Sequence, residues 1–348
     1  MHLAAKLRRS LLLGSSCIAS LFLAILIVEV AYRLQIIDTY RQELHAYNHE
    51  EDLSRQSTRP TLLIMGDSFS AGNESYPTIL RNQLPQYRVV NAAIPGTGIV
   101  QALAVAPRRF AQFEPSVFLY QVYVGNDLYD IRYPVRWGRI PFARNLYWML
   151  SNHLRVVQFI NYRLAGTVPR FSRDNYVPTT FEAAAQRPCD APFEPELYDW
   201  RVRMLLAAEP SAFEDYVLGI GQRGADLNTL ARGVRRLMSF CKAPECRAYL
   251  LVIPHASQIG GSYLDNFRAL GVQFRNLDDY LADTYPFLSA LQTAVAGQKN
   301  VSVLSALPLF RDLERAGAHP YYRYDMHLTP FGQEALGNWL CGKIAGLQ

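Results

Sequence analysis

The sequence predicts an α/β domain, with a parallel sheet covered by helices on both faces, carried behind one N-terminal apolar helix. Three observations lead there. Five short apolar runs recur along the 348 residues, helical patterns lie between several of them, and residues 10–28 carry no charge at all. Strands buried on both faces read as continuous apolar runs, and their alternation with helices indicates a three-layer α/β domain.

The apolar stretch comes first in the chain. LLLGSSCIASLFLAILIV runs from Leu11 to Val28 between Lys6, Arg8 and Arg9 on one side and Glu29 on the other. About 20 apolar residues cross a bilayer core. The cationic flank precedes the run, so the expected topology is residues 1–9 in the cytoplasm, a signal anchor over 10–33, and the rest on the extracytoplasmic side of the cytoplasmic membrane. A cleaved signal peptide would have a shorter apolar core and a small-residue cleavage site, whereas this run ends in Glu-Val-Ala-Tyr-Arg. Residues 34–60, polar and mixed in charge, read as a juxtamembrane stalk.

The strands are expected at TLLIM from Thr61, Tyr87–Ala93, Val117–Val124, Arg247–Ile253 and Val301–Leu304, each closed by a Gly, Pro or Asn turn. Leu227–Phe240 carries apolar residues three and four apart and reads as a helix. The stretch from about 131 to 224 is too long for an ordinary crossover and reads as an insertion within the 61–348 body. It is rich in arginine (Arg132, Arg136, Arg139, Arg144, Arg155, Arg163, Arg170 and Arg173) among Trp137, Tyr147, Trp148, Phe159 and Tyr162. Leu146–Leu164 has helical apolar spacing with arginines between. It suits either a surface helix touching lipid headgroups or an acidic polymer, or an ordinary helix with its apolar stripe inward and its arginines solvated.

Charge and cysteine content bound the partners. The net charge of +5 is too small, and lysine too scarce (Lys6, Lys242, Lys299 and Lys343), for a nucleic-acid binder. Arginine supplies most of the positive charge and suits bidentate pairing with carboxylates or phosphates. Apart from Cys17 there are four cysteines, Cys189, Cys241, Cys246 and Cys341, an even set in an oxidising compartment. Cys241 and Cys246 enclose a four-residue loop between a helix and a strand, which favours their pairing as a disulfide over the other connectivities. No histidine or second CxxC stands at ligand spacing, so no metal is expected.

Four turns carry chemistry. The first strand runs into Gly66-Asp67-Ser68-Phe69, placing a serine at the carboxyl edge of the sheet, where open α/β folds bind ligands. A cap residue is the plainer reading of that turn alone. Near the C-terminus stands Asp325-Met326-His327, in which residues two apart project to one side, so Asp325 can orient the imidazole and leave its other nitrogen free. Thr329 and Pro330 look like the N-cap and first turn of a helix with an apolar stripe of Phe331, Leu336, Trp339 and Leu340. Between these ends lie the turns at Asn91–Gly96 and Val124–Asp127, where the Gly96 N–H and the Asn126 amide suit a developing oxyanion. Asp127 reads as fixing its own turn; His255, ending a strand on the same sheet edge, either lines the site or, the plainer reading, is a loop histidine bonded to backbone.

Taken in order, GDSF, NAAIPG, VGND and DMH resemble the four blocks of the SGNH/GDSL hydrolase superfamily over residues 61–348. The resemblance implies a flavodoxin-like α/β/α sandwich with a five-stranded parallel sheet and no metal or cofactor. It implies Ser68 as nucleophile, His327 as base, Asp325 as its partner, and an oxyanion hole of the Ser68 N–H, the Gly96 N–H and the Asn126 side chain. Phe69 stands where leucine is usual and Val124 where glycine is usual. The Asp-x-His spacing resembles the alginate-acetylation branch and related membrane-anchored polysaccharide enzymes. An extracytoplasmic serine esterase or O-acetyltransferase acting on O-acylated cell-surface or exopolysaccharide is therefore expected, working beside polysaccharide synthesis or export machinery. A lipid-directed esterase of the lysophospholipase kind and a non-catalytic carbohydrate-binding or assembly protein are the alternatives.

Overall fold

The five apolar runs form one sheet, all parallel, in the order β2-β1-β3-β4-β5: β1 Thr61–Met65, β2 Arg88–Asn91, β3 Val117–Tyr123, β4 Arg247–Ile253 and β5 Val301–Ser305. The computed structural model describes residues 2–54, 58–165, 192–242 and 244–345. The strand order is the flavodoxin-like one, with β1 flanked by β2 and β3. Every residue of β1, β2 and β3 is buried, the condition that makes their sequences uninterrupted in apolar character rather than alternating.

Helices cover both faces. The crossover helix Gln222–Met238 packs between helices Ile99–Phe113 and Pro286–Val295 on one side. The C-terminal helix Pro330–Ala345 packs on Tyr76–Gln83 on the other. That second contact is close enough that a Cβ on Gly337 would come within 2.6 Å of Ile79 Cβ. Thr329 caps the C-terminal helix, its Oγ1 accepting from Gly332 N at 3.1 Å. Leu336 and Leu340 face the core, while Phe331 is exposed.

Three expectations change. Residues 38–54 are not a free stalk: they fold as helices Arg41–Ala46 and Glu50–Leu53 against the body. Tyr40 and Leu44 are buried, buried Arg109 holds Asp38 through two bonds of 2.7 and 2.9 Å, and Asn48 pairs in both directions with Asn91 at the end of β2. The polar composition of this segment reflects polar contacts with the body. Leu146–Leu164 is not one helix but two, Phe142–His153 and Arg155–Ala165, because Glu29 takes the N–H groups of Arg155 and Val156 and starts a new helix there. The crossover helix begins at Gln222, before the expected Leu227.

The first helix runs over His2–Arg33, and its segment Gly14–Arg33 is 20 residues long with a mean hydropathy of 2.1, apolar and long enough to span a membrane. Cys241 and Cys246 form a disulfide; Cys341 is a buried free thiol and Cys17 an exposed one. Cys189, Arg170 and Arg173 lie outside the described residues.

Candidate active site

The site is built on the carboxyl ends of β1, β2 and β3. After Met65 the chain makes a tight turn in which Ser70 N and Ala71 N both bond Asp67 O, at 3.2 and 3.1 Å. The next helix starts only at Tyr76, so this turn and not a helix presents Ser68. Phe69 N donates to Asp67 Oδ1 at 2.9 Å. Gln121, the one amide within β3, accepts from Asp67 N at 3.1 Å and from Ser70 Oγ at 3.0 Å. It lies so close under the turn that a Cβ on Gly66 would come 2.5 Å from its Oε1. Asn91 Nδ2 and Ser75 Oγ both donate to Ser70 O, and Gln333 of the C-terminal helix bridges Phe69 O and Tyr76 N.

The loop that carries Asp325 and His327 comes from the other end of the chain. Tyr321 and Leu328 pair across it as an antiparallel bridge, and Tyr322 N donates to His327 O. Ser68 Oγ lies 2.7 Å from His327 Nε2. On the far side of the ring His327 Nδ1 bonds Asp325 Oδ1, which also accepts from His327 N at 2.7 Å. Ser68 and the Asp325–His327 pair, more than 250 positions apart, thus form one unbroken hydrogen-bonded chain. The His327 and Asp325 side chains remain 30% and 20% exposed, so a substrate can reach them.

Electrostatics follow from that contact. Burial pushes the Asp325 carboxyl up, but the His327 charge and the bonds from its ring and backbone outweigh it and hold the group below its ordinary value. Burial pushes the His327 imidazole down, and the Asp325 charge, its hydrogen bond and the charges of Asp67 and Asp199 more than reverse this. Asp67 is raised by burial, against the Phe69 N–H, the His327 charge and the side chains of Gln121 and Asn126.

The other expected residues fall around this chain. Asn126 ends the turn after β3, directly before a short helix, Asp127–Ile131. Asp127 secures that turn, its Oδ2 accepting from Tyr123 N at 2.7 Å. Val124 extends the ladder by donating to Ile253 O, so the missing glycine leaves the turn intact. Gly96, at φ +64°, follows a turn whose Ile94 N donates to Gly66 O at 2.9 Å, and so stands beside the nucleophile turn. Phe69 packs between the Tyr123 and His327 rings, at 4.2 and 5.1 Å. His255 does not line the site: it is fully buried, stacked on Phe213 at 3.9 Å and bonded to the Ser257 hydroxyl, and burial drives its pKa down to about 3.

Sequence reasoning missed the supports. Gln121 had a signal, a lone amide in the apolar run VFLYQVY; Asn91 and Gln333 had none. It also missed the insertion's return segment. Asp199 N donates to Tyr324 O at 3.2 Å, and Phe193 stacks flat on Tyr324 at 5.2 Å, so residues 193–199 brace the loop that carries Asp325 and His327.

No family model matches the chain, and no curated protein matches its sequence. Among solved structures it is similar to TesA, with 16% identity, 82% of this chain and 98% of that one covered, and a TM-score of 0.35. It is also similar to a catalytic mutant of Axe2, an acetylxylan esterase from Geobacillus stearothermophilus, at 12% identity over 84% and 96% of the two chains with a TM-score of 0.43. A third is LAE5, an alpha/beta hydrolase enzyme from the metagenome of Lake Arreo, Spain, at 12% identity over 83% and 96% with a TM-score of 0.39. At these identities and scores the likeness carries no functional weight, and the chemistry is read from the bonded side chains themselves.

Proposed function

We propose that the protein is a serine hydrolase of ester bonds, or an O-acyltransferase using the same residues, of the SGNH/GDSL type. The observation that carries this is the unbroken chain from Ser68 Oγ through His327 to Asp325. Ser68 Oγ attacks the ester carbonyl carbon while His327 Nε2 takes its proton, and the Asp325 carboxylate stabilises the imidazolium. The carbonyl oxygen becomes an oxyanion received by the Ser68 and Gly96 N–H groups and the Asn126 amide. Collapse expels the alcohol, which leaves with the proton from His327, and Ser68 holds the acyl group. Water then gives an esterase, and a sugar hydroxyl gives an acyltransferase.

O-acylated polysaccharide outside the cytoplasmic membrane is the substrate class we favour. The support is the chain that follows the insertion's return segment: Asp199 N donates to Tyr324 O, and Trp200 and Arg201 come next. The Arg144 guanidinium stands 4.8 Å from the Trp200 ring centre, and the Arg201 charge reaches Asp325. Aromatic faces accept sugar rings and guanidinium groups accept uronate carboxylates. The test has two stages. A fluorophosphonate should label the wild type and not Ser68→Ala, and p-nitrophenyl acetate should be cleaved only by the former; absence of both sinks the enzyme reading. Acetylated polysaccharide, with acetate release and uptake followed together, then separates esterase from transferase.

A further inference from the structure

Helix Phe142–His153 carries apolar side chains on its outward face as well as on its inward one. Its buried face is mixed: Asn145 and Ser151 are fully buried beside Trp148, which packs with Tyr133, Ile140 and Ala208. Its outward face is apolar: Phe142 is 70% exposed, and Leu146, Met149 and Leu150 follow it at helical spacing. This orientation is fixed by the buried side, where Asn145 accepts from Arg136 N and donates to Ile140 O, both at 2.8 Å. Rotating the helix to hide its apolar stripe would break both bonds.

The end of this helix is fastened to the apolar N-terminal helix. Glu29, four residues before the end of Gly14–Arg33, accepts from Arg155 N and Val156 N at 2.9 and 2.8 Å, and Arg33 donates to His153 O at 3.2 Å. Residues 153–156 therefore stand level with the last turn of the apolar segment. Just beyond, the chain turns back with Gln35 buried in a left-handed conformation, which leaves Leu34, Ile36 and Ile37 strongly exposed.

We propose that the turn 34–37 and the outward face of Phe142–His153 form one lipid-facing surface, by which the domain is seated on the headgroup and acyl-chain boundary of the membrane. This rests on reading the N-terminal helix as a membrane span. The occupant is lipid because the surface is continuous with that span through Glu29 and Arg33. The far end also suits an interface, with half-exposed Trp137 packed 5.5 Å from Phe142 beside exposed Arg139. At about 1.5 Å per residue the helix extends some 17 Å, long enough to lie flat and hold the body in one orientation.

The test uses the full chain in phosphatidylcholine–phosphatidylglycerol vesicles, in a Cys17→Ser, Cys189→Ser, Cys341→Ala background that keeps the disulfide. Single cysteines are placed by Leu23→Cys in the span, by Leu146→Cys and Leu150→Cys on the outward face, and by Phe331→Cys on the C-terminal helix as a solvent reference. Each is labelled with a bimane and quenched by lipids brominated on their tails, or by aqueous iodide. Quenching by brominated tails at the first three sites, with iodide access at 146 and 150 at least about threefold below that at 331, is the expected result. Lipid quenching at Leu23→Cys alone, with 146 and 150 as open to iodide as 331, overturns the seating and keeps the span. Protection from iodide at 146 and 150 without lipid quenching also overturns it, since residues 166–191 or a second copy then cover the face. No lipid quenching at Leu23→Cys removes the span and the seating together.

Discussion

The nucleophile turn and the acid-base loop meet at one hydrogen bond, yet they are held by different means. The turn around Ser68 is gripped from beneath by buried amides, with Gln121, Asn91 and Gln333 each bonded to its backbone. The loop around His327 is braced at its two ends and from the side by the insertion's return segment, and its Asp325 and His327 side chains, the proposed acid-base pair, stay partly exposed. The difference separates two kinds of residue. Beneath the nucleophile, position and stability depend on the same bonds; in the acid-base loop, charge and tautomer can change while the scaffold stays.

The largest effect that sharpens this contrast is on rate alone. Ser68→Ala should lower p-nitrophenyl acetate cleavage by about 10⁴-fold or more, with thermal unfolding unchanged, because Ser68 Oγ supports no backbone. Asp325→Asn should cost about 10⁴-fold in kcat, since it removes the partner that fixes the His327 tautomer. It also moves the pH profile. The base must be neutral to act, so wild-type kcat/KM should rise through an apparent pKa above 6.5, the ordinary histidine value. The Asn variant should shift that limb to lower pH because the raising charge is gone. A limb that stays in place would mean that His327 is not the titrating base. Stability has the opposite sign: the raised His327 favours the fold below pH 6.5 and loses that contribution as pH rises through its folded pKa.

Gln121→Leu would break the comparison if it behaved like these. It strips a bond from Asp67 N and one from Ser70 Oγ, so urea unfolding should show a loss of roughly 1–3 kcal/mol together with a fall in activity. Unchanged stability would show that the turn holds itself.

The smallest expected effect on rate lies behind the site. Burial, and then the charge of Asp67, raises the Asp130 carboxyl to about 8. Unfolded, it ionises near 3.8, so the fold loses stability as pH climbs between these values. Asp130→Asn removes that loss. Its stability relative to wild type, read from urea unfolding, should therefore grow from about pH 5 to about pH 8 and then level off; a flat difference would refute it.

Much of the molecule was legible in its sequence because the physics involved is local. Strands buried on both faces must be apolar throughout, so TLLIM, VFLYQVY and RAYLLVI marked β1, β3 and β4 to within a residue. Asp325 and His327 are two residues apart, so their pairing also follows from local chain geometry. What escaped was what depends on distant chain. The polar segment 38–54 read as a stalk because its partners, Arg109 and Asn91, lie more than 40 residues away. The apolar spacing of Leu146–Leu164 was plain, but periodicity shows that a stripe exists and not which way it faces. Asn145 and Glu29 settle that, through bonds the sequence does not contain. By itself the sequence determined the sheet, the four turns and the chemical groups on them. Only tertiary structure decided that Ser68 and His327, 259 residues apart, come within 2.7 Å. That distance depends on the C-terminal helix docking on Tyr76–Gln83 and locking the nucleophile turn through Gln333, contacts that form only when both ends of the domain fold onto one sheet.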